Sequence, residues 1–170
     1  MSDNLAKIKQ IIDDHQSIRG HVKLVSDLVS DQEALWALEE TRSSWIPGRP
    51  EITNEKQNKL QQTLSFLDEG LKNHFAFEEQ ALPPLLGDLL TRALILDHQK
   101  IKEKIDEAKS IAVDSKLEGL SREELLSKEF YIQQVVVNIC QLIEEHAARE
   151  EAILGMVERA LEEKESRNKS

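Results

Sequence analysis

Two short segments of the sequence, His74-Phe75-Ala76-Phe77-Glu78-Glu79 and His146-Ala147-Ala148-Arg149-Glu150-Glu151, each place a glutamate four residues after a histidine. At that spacing in an α-helix, two side chains lie about 40° apart around the axis and point to the same side. Each segment therefore presents one nitrogen and one oxygen donor on a single helix face. One such pair is usually an ordinary helix pair, but two matched copies predict a shared site.

Two further segments repeat ahead of these pairs. Asp14-His15-Gln16-Ser17-Ile18 precedes the first pair, and Asp97-His98-Gln99-Lys100-Ile101 precedes the second. His15 and His98 fall on the apolar stripes of their own helices, where aliphatic residues recur at three- and four-residue steps. The chain is therefore built as two matching halves, each with a single-histidine helix followed by a histidine–glutamate helix.

The hydrophobic periodicity predicts four long helices, at about residues 3–30, 53–82, 88–112 and 122–162. Ser121 and Glu124 form a capping box for the last helix, and Pro83-Pro84 ends the second. We expect a short extra helix at 33–42, a loop at 43–52 and a frayed tail from Glu162. No strand pattern is seen. The sequence thus predicts an all-α protein, a single domain of residues 1–170 folded as an antiparallel up-down four-helix bundle.

Composition narrows the functional classes. The 170 residues carry a formal net charge of -10, which argues against nucleic acid or an anionic membrane surface as a partner. Cys140 is the only cysteine, so no disulfide can form within the chain. The first ten residues are polar, unlike a signal peptide, and no apolar run reaches membrane-spanning length. We expect a cytoplasmic protein.

Six side chains with metal-binding chemistry should converge inside the bundle. Two buried, ionised carboxylates would cost several kcal/mol each without a positive partner, so bound cations are expected between them. Mixed imidazole and carboxylate donors suit iron, with zinc and copper also possible from ligand type. His21 lies about 120° round the helix from His15 and should miss the site. The candidate metal ligands are His15, His74, Glu78, His98, His146 and Glu150.

This constellation resembles the hemerythrin-like family, also called the HHE cation-binding domain, from about His15 to Leu154. In both pairs, a second glutamate and then a leucine follow, Leu82 in one and Leu154 in the other. By that resemblance the cofactor is a pair of iron ions with an oxo or hydroxo bridge, held by the six candidate ligands. Zinc or manganese are possible substitutes.

The sequence departs from the oxygen-carrying hemerythrins in two places. They carry a second histidine one turn along the third helix, but here the four-residue neighbours of His98 are Leu94 and Lys102. They also place an aspartate five residues after the last histidine, where this chain has Glu151. Glu150 is the better-aligned ligand, with Glu79 and Glu151 kept as alternates. The four-histidine, two-glutamate set looks more like the iron- and oxygen-responsive domain of an F-box ubiquitin ligase, and like bacterial proteins that repair iron centres.

We therefore expect a protein that reversibly binds or senses dioxygen or a related small oxidant or anion. The alternatives are a di-iron enzyme or iron-handling protein, which would turn over peroxide or nitric oxide or repair iron centres, and a metal-free interaction module. The run 130–143 is apolar on more than one face, so it either covers the short extra helix or forms a homodimer or other protein-binding surface.

Four other residues each have a structural and a functional interpretation. Arg19 and Lys102 follow the single histidines by four residues; we expect them to reach solvent, or else to pair with carboxylates beside the metals or attract anions. Gly70 lies inside a helix, where glycine costs about 1 kcal/mol relative to alanine. It indicates either tight helix packing or room for a small ligand. Cys140 is expected to be a buried, apolar-like residue rather than a nucleophile.

Overall fold

The computed structural model describes residues 3–43, 51–114 and 121–170, with side-chain surroundings for 3–29, 59–112 and most of 121–170. These residues form α1 (Asp3–Ser43), α2 (Glu51–Ala81), α3 (Pro83–Leu86), α4 (Asp88–Asp114) and α5 (Arg122–Asn168). The described ranges contain no strand, which confirms the all-α prediction.

The four long helices pack as a closed ring. α1 packs against α2 and α5, and α4 packs against the same two helices. The short helix α3 lies against α2 and α4. The protein is therefore a helical bundle, while the alternating up-down direction of its helices and its limits as one domain stay predictions.

The first helix is longer than the sequence pattern indicated. Residues 33–42, expected as a separate short helix, continue α1 without a break to Ser43. The apolar stripe weakens near Ser30, but no proline or glycine follows before Pro47, and this stretch is rich in alanine, leucine and glutamate. Those residues favour the helical backbone even where the stripe is lost. Most of the predicted loop at 43–52 lies outside the described residues, and α2 begins at Glu51.

The short helix of the structure lies instead between α2 and α4. α2 ends at Ala81, ahead of the two prolines, and Pro83 and Pro84 then occupy the first turn of α3. This is the helix position that proline tolerates best, since its missing N–H would have no intrahelical partner there. Gly87 follows with a φ of 80°, a left-handed conformation that favours glycine, and α4 begins at the next residue.

The last helix has the predicted start and an unexpected end. The Ser121 hydroxyl accepts a hydrogen bond from the Glu124 N–H, which confirms the cap. The expected fraying from Glu162 is wrong, because α5 continues to Asn168. Val157 and Leu161 pack against the apolar core near that end and extend its contact with the bundle.

Two apolar clusters fill the bundle, and the six candidate metal ligands lie between them along the four long helices. The larger cluster holds Val25 and Val29 of α1 with parts of the other three long helices; the smaller holds Ile8 and Ile11 with three partners. The run 130–143 is split, with Ile132 and Val136 buried but Phe130 and Val137 exposed. Within the described residues, no helix combines the length and apolar character needed to cross a bilayer.

Candidate metal centre

All six candidate ligands lie in the bundle interior. Glu78, His98 and Glu150 have no exposed surface, and none of the others is more than 5% exposed. Such burial is rare for glutamate, which is almost never fully buried unless it is paired. One ligand comes from each of α1 and α4, and two come from each of α2 and α5, as the repeat predicts: His15, His98, His74 with Glu78, and His146 with Glu150.

The six side chains form two overlapping groups of four. His15 and His74 share one group with both glutamates, and His98 and His146 share the other with the same two glutamates. Within each group, one donor atom of every residue lies within 4.8 Å of the others. Each group is thus compact enough to hold one metal ion, and Glu78 and Glu150 face both positions.

The donor atoms that meet are the histidine Nε2 atoms and the carboxylate oxygens. His15 Nε2 lies 3.3 Å from Glu78 Oε1 and 3.2 Å from Glu150 Oε1. His98 Nε2 lies 2.9 Å from Glu78 Oε2, and His146 Nε2 lies 3.2 Å from Glu150 Oε2. His74 Nε2 contacts Glu78 Oε1, and the Nε2 atoms of His98 and His146 are 3.1 Å apart.

The residues pass a direct test of whether they suit a metal. Among the described residues, four of the five buried side-chain polar atoms without a hydrogen-bond partner belong to this cluster. They are His74 Nε2, Glu78 Oε2 and both carboxylate oxygens of Glu150. Leaving such groups unsatisfied costs about 1–3 kcal/mol each, and more for charged ones. Coordination would satisfy them, and the mixed nitrogen and oxygen set suits iron or zinc.

The cluster also attracts positive charge. Burial alone lowers the pKa of His15, but the hydrogen bonds and charges of Glu150 and Glu78 outweigh it and raise the pKa to about 10. Burial alone raises the pKa of Glu78, yet the histidines bonded to it hold that pKa well below its usual range. His146 has a raised pKa, because Glu150 outweighs the effect of burial. Glu78 therefore holds its negative charge in the core and favours a cation beside it.

The outer ring nitrogen of each histidine faces a carboxylate. The Nδ1 atom lies 3.2–3.3 Å from a carboxylate oxygen in all four cases. An ionised carboxylate only accepts hydrogen bonds, so Nδ1 carries the proton and donates it. Nε2 is then the ring nitrogen that faces the cluster, and in the neutral imidazole it offers its lone pair to a metal. The four pairs are His15 with Glu151, His74 with Asp14, His98 with Glu79, and His146 with Asp97.

Two arginines hold two of these outer carboxylates. Arg19 donates to both oxygens of Glu151, at 2.7 and 2.8 Å, and its Nε donates to Glu144. Arg149 donates to Asp97 at 2.8 Å. The hydrogen bonds from Arg19 lower the pKa of Glu151. Burial alone raises the pKa of Asp97, but Arg149 and His146 outweigh it, so this pKa is also lowered. Arg19 thus pairs with a carboxylate beside the cluster, one of its two predicted roles.

Sequence reasoning missed Phe75. Its ring stacks on the His98 ring, with centroids 3.9 Å apart and the planes inclined by 7°. Lys102 lies over the Phe75 ring with Nζ 5.8 Å from the centroid. Adjacency to His74 was the one available signal, because neighbouring helix positions point about 100° apart and Phe75 therefore faces the next helix.

Several other predictions can be checked by position. His21 is exposed, donates from Nδ1 to the Ser17 carbonyl oxygen 3.0 Å away, and lies outside both groups, as expected. Cys140 is partly buried, and burial raises the pKa of its thiol, as expected of an unreactive residue. A Cβ at Gly70 would meet nothing within 4 Å, so tight packing does not explain this glycine. Gly70 instead lines an open groove of about 480 Å³ between α1 and α2 that reaches Asp14 and His74.

A buried cluster of four histidines and two glutamates in a helical bundle defines a class of candidate cation-binding proteins. The family model of the hemerythrin HHE cation binding domain matches residues 6–157, which covers most of the chain and all six cluster residues. The chain belongs to this family. No curated protein and no solved structure gives a significant match.

Proposed function

We propose that this protein binds two iron ions in its core and uses them to bind reversibly, or to sense, dioxygen or a related small oxidant. The proposed ligands are His15 and His74 on one metal, His98 and His146 on the other, with Glu78 and Glu150 shared. The observation that carries the proposal is that two groups of four donor residues share the same two glutamates, Glu78 and Glu150. A single metal would not require two carboxylates that each face two positions.

The residues around the cluster support binding of a small ligand rather than a large one. The three donors without exposed surface lie deep in the bundle, and apolar clusters continue on both sides of them along the helices. Such surroundings restrict water and control access to bound metal. Iron held there would supply a change between ferrous and ferric states, with coordination positions left free by the protein ligands. The chain itself orients the imidazoles and supplies two negative charges.

We infer further that the four long helices alternate in direction. The smaller apolar cluster combines residues near the starts of α1 and α4 with residues near the end of α2 and late in α5. The larger cluster combines Val25 and Ile105, later in α1 and α4, with Leu60 and Ile132, early in α2 and α5. Both groupings support an up-down bundle with the six ligands at one level.

Metal analysis tests the first half of the proposal. Protein expressed with iron available should contain two irons per chain, and His15→Ala should lower that content. His21→Ala is the matched control, since it removes an exposed histidine from the same helix and should leave the metal content unchanged. Glu150→Ala should reduce binding at both positions, whereas Glu145→Ala, an exposed neighbour bonded to Gln141, should not. Full-length protein without bound iron after loading with ferrous salt would refute the proposal.

Redox cycling tests the second half. The iron-loaded protein, reduced without oxygen, should change its near-ultraviolet absorption when oxygen is added and recover when oxygen is removed or reductant is supplied. Oxidation without recovery, coupled to multiple turnovers of peroxide or nitric oxide, would replace the binding function with an enzymatic one. The two tests fail independently, because metal content does not depend on reversibility.

A further inference from the structure

We propose that Asp14, Glu79, Asp97 and Glu151 are positioning residues that form a closed carboxylate ring around the metal centre. This proposal rests on the proposed metal site but concerns residues outside it. Each member accepts a hydrogen bond from the Nδ1 atom of one ligand histidine at 3.2–3.3 Å. None of the four belongs to either donor group that could hold a metal.

The hydrogen bonds run in one direction round the bundle. Asp14 on α1 accepts from His74 on α2, and Glu79 on α2 accepts from His98 on α4. Asp97 on α4 accepts from the second histidine of the repeat pair, His146 on α5. Glu151 on α5 accepts from His15 on α1, which closes the ring. Every link joins two helices that pack against each other. The ring thus connects all four long helices at the level of the six ligands.

The sequence repeat supplies the ring as well as the ligands. Each single histidine is preceded by an aspartate, Asp14 or Asp97, and each ligand glutamate is followed by a second glutamate, Glu79 or Glu151. A residue five positions after a histidine lies about 140° round the helix, so it faces the adjacent helix rather than the core. Each repeated segment therefore provides ligands to the interior and a carboxylate to the next helix.

The chemical effect of the ring is to fix one histidine tautomer. A neutral imidazole has one N–H and one lone pair, and a carboxylate at Nδ1 assigns the proton to that nitrogen. Nε2 is then free to bind a metal, and the acceptor also fixes the ring plane and increases the basicity of the ligand. Glu79 and Glu151, the alternate ligands suggested by sequence, have this outer role in the structure.

Glu151 offers the sharpest test because the chain provides a matched control. Glu151 and Glu144 both bind Arg19, but only Glu151 also contacts a histidine. We expect Glu151→Leu to weaken Zn²⁺ binding by the full-length protein about 10- to 100-fold, the usual effect of losing such a partner. Glu144→Leu should leave the affinity unchanged. Glu151→Gln should restore most of it, since the amide oxygen also accepts from Nδ1. Competition with a chromophoric chelator measures all three.

A spectroscopic readout separates positioning from general stability. In Zn²⁺-loaded protein with ¹⁵N-labelled histidine, the four imidazoles should each show a protonated Nδ1 and a metal-bound Nε2. Glu151→Gln should move the His15 Nδ1 proton resonance upfield, because a neutral acceptor forms a weaker hydrogen bond than a carboxylate. The other three resonances should stay in place. This variant retains the shape of the glutamate, so it keeps the test available if Glu151→Leu does not fold.

The outcomes distinguish this proposal from the function on which it rests. If the unmodified protein binds neither iron nor Zn²⁺, the metal centre and its ring both fail. If it binds metal, but Glu151→Leu binds Zn²⁺ as tightly and Glu151→Gln leaves the His15 resonance unmoved, the positioning role alone is wrong. An equal loss of affinity in Glu144→Leu would likewise assign the effect to the Arg19 ion pair.

Discussion

The α1/α5 and α2/α4 interfaces contain the same kind of histidine–glutamate hydrogen bond but surround it with different side chains. In each, a glutamate on one helix accepts from Nδ1 of a histidine on the other, Glu151 from His15 and Glu79 from His98, both at 3.3 Å. The two glutamates occupy the same place in the sequence repeat. What surrounds these hydrogen bonds differs.

The α1/α5 interface is held by an ion pair. Arg19, four residues after His15, binds both oxygens of Glu151. Lys102, four residues after His98, is its counterpart at the α2/α4 interface, but it lies over the ring of Phe75. The two interfaces also differ at one position of the sequence repeat. Phe75 follows His74, whereas the small Ala147 follows His146. An aromatic ring stacks on the histidine at one interface, whereas a guanidinium group binds the glutamate at the other.

This difference teaches that equal geometry does not imply equal stability. Arg19 and Glu151 are 33% and 27% exposed, and ion pairs with that access to water contribute little. Phe75 is 1% exposed, and burial of an aromatic side chain contributes far more. The α2/α4 interface should therefore stabilise the fold more than the α1/α5 interface does.

Removal of the Phe75 ring should have the largest effect. Phe75→Ala is expected to lower the free energy of unfolding by about 3–5 kcal/mol, because it leaves a cavity beside His98. Denaturant unfolding followed by circular dichroism measures the change. Phe66→Ala is the control on the same helix, since Phe66 is 57% exposed and its loss should change stability little. Equal losses in both variants would contradict the proposed inequality of the two interfaces.

Asp68 gives the α2/α4 interface a second, pH-dependent component. It is 3% exposed and binds Lys109 of α4 and Lys72 of its own helix, each at 3.0 Å. Its repeat counterpart, six residues before the other paired histidine, is Cys140. Asp68→Asn should cost about 1.5–3 kcal/mol at pH 7, the usual range for hydrogen bonds to charged groups.

The direction of the pH effect follows from the pKa of Asp68. Burial alone raises this pKa, but Lys109 and Lys72 outweigh it and lower the pKa below its usual value. A lowered folded-state pKa stabilises the fold fully above the unfolded pKa of about 3.9, and the contribution disappears as pH falls through the folded-state value. The stability difference between wild type and Asp68→Asn should therefore shrink from pH 7 to pH 3. An exposed control, Asp27→Asn, should show no such difference at pH 7.

The repeat made the inner site predictable, because helix geometry alone determines which side chains share a face. Glu78 is four residues from His74 and turns inward with it, whereas Glu79 is five residues away and faces α4. Periodicity also predicted the long helices. It failed at 33–42 and after Glu162, where intrinsic helix preference continues the helix beyond the amphipathic stripe.

The hydrogen bonds between the histidine Nδ1 atoms and the outer carboxylates could not be predicted from the sequence, because they depend on which helix lies next to which. Asp14 precedes His15 in the chain but accepts a hydrogen bond from His74. Glu151 follows Glu150 in the chain but accepts one from His15. Nothing in either segment specifies the neighbouring helix or its rotation. The stacking of Phe75 on His98 has the same origin. These contacts are fixed by the packing of four helices, a property of the assembled bundle.

Gly70 extends the comparison to the other two interfaces. It precedes His74 by four residues and lines the groove between α1 and α2, and its counterpart before His146 is Leu142, which lines a similar groove of about 460 Å³ between α4 and α5. A Cβ at Gly70 meets open space, and Gly70→Ala should therefore stabilise the protein by about 1 kcal/mol through helix propensity alone. Gly20→Ala, equally unobstructed on α1, should give a similar gain. A loss at Gly70 only would show that the groove itself needs the glycine.

Arg19→Lys should have the smallest effect. Lysine keeps the charge but cannot form the paired hydrogen bonds to both oxygens of Glu151, so this variant makes α1/α5 resemble α2/α4. Because the ion pair is partly exposed, we expect a loss of about 0.5 kcal/mol. A double-mutant cycle with Glu151→Gln isolates the pair, and its coupling energy should stay below about 1 kcal/mol. A coupling several times larger would mean that the pair behaves as a buried one and that the two interfaces stabilise the bundle equally, by ionic contact on one side and aromatic packing on the other.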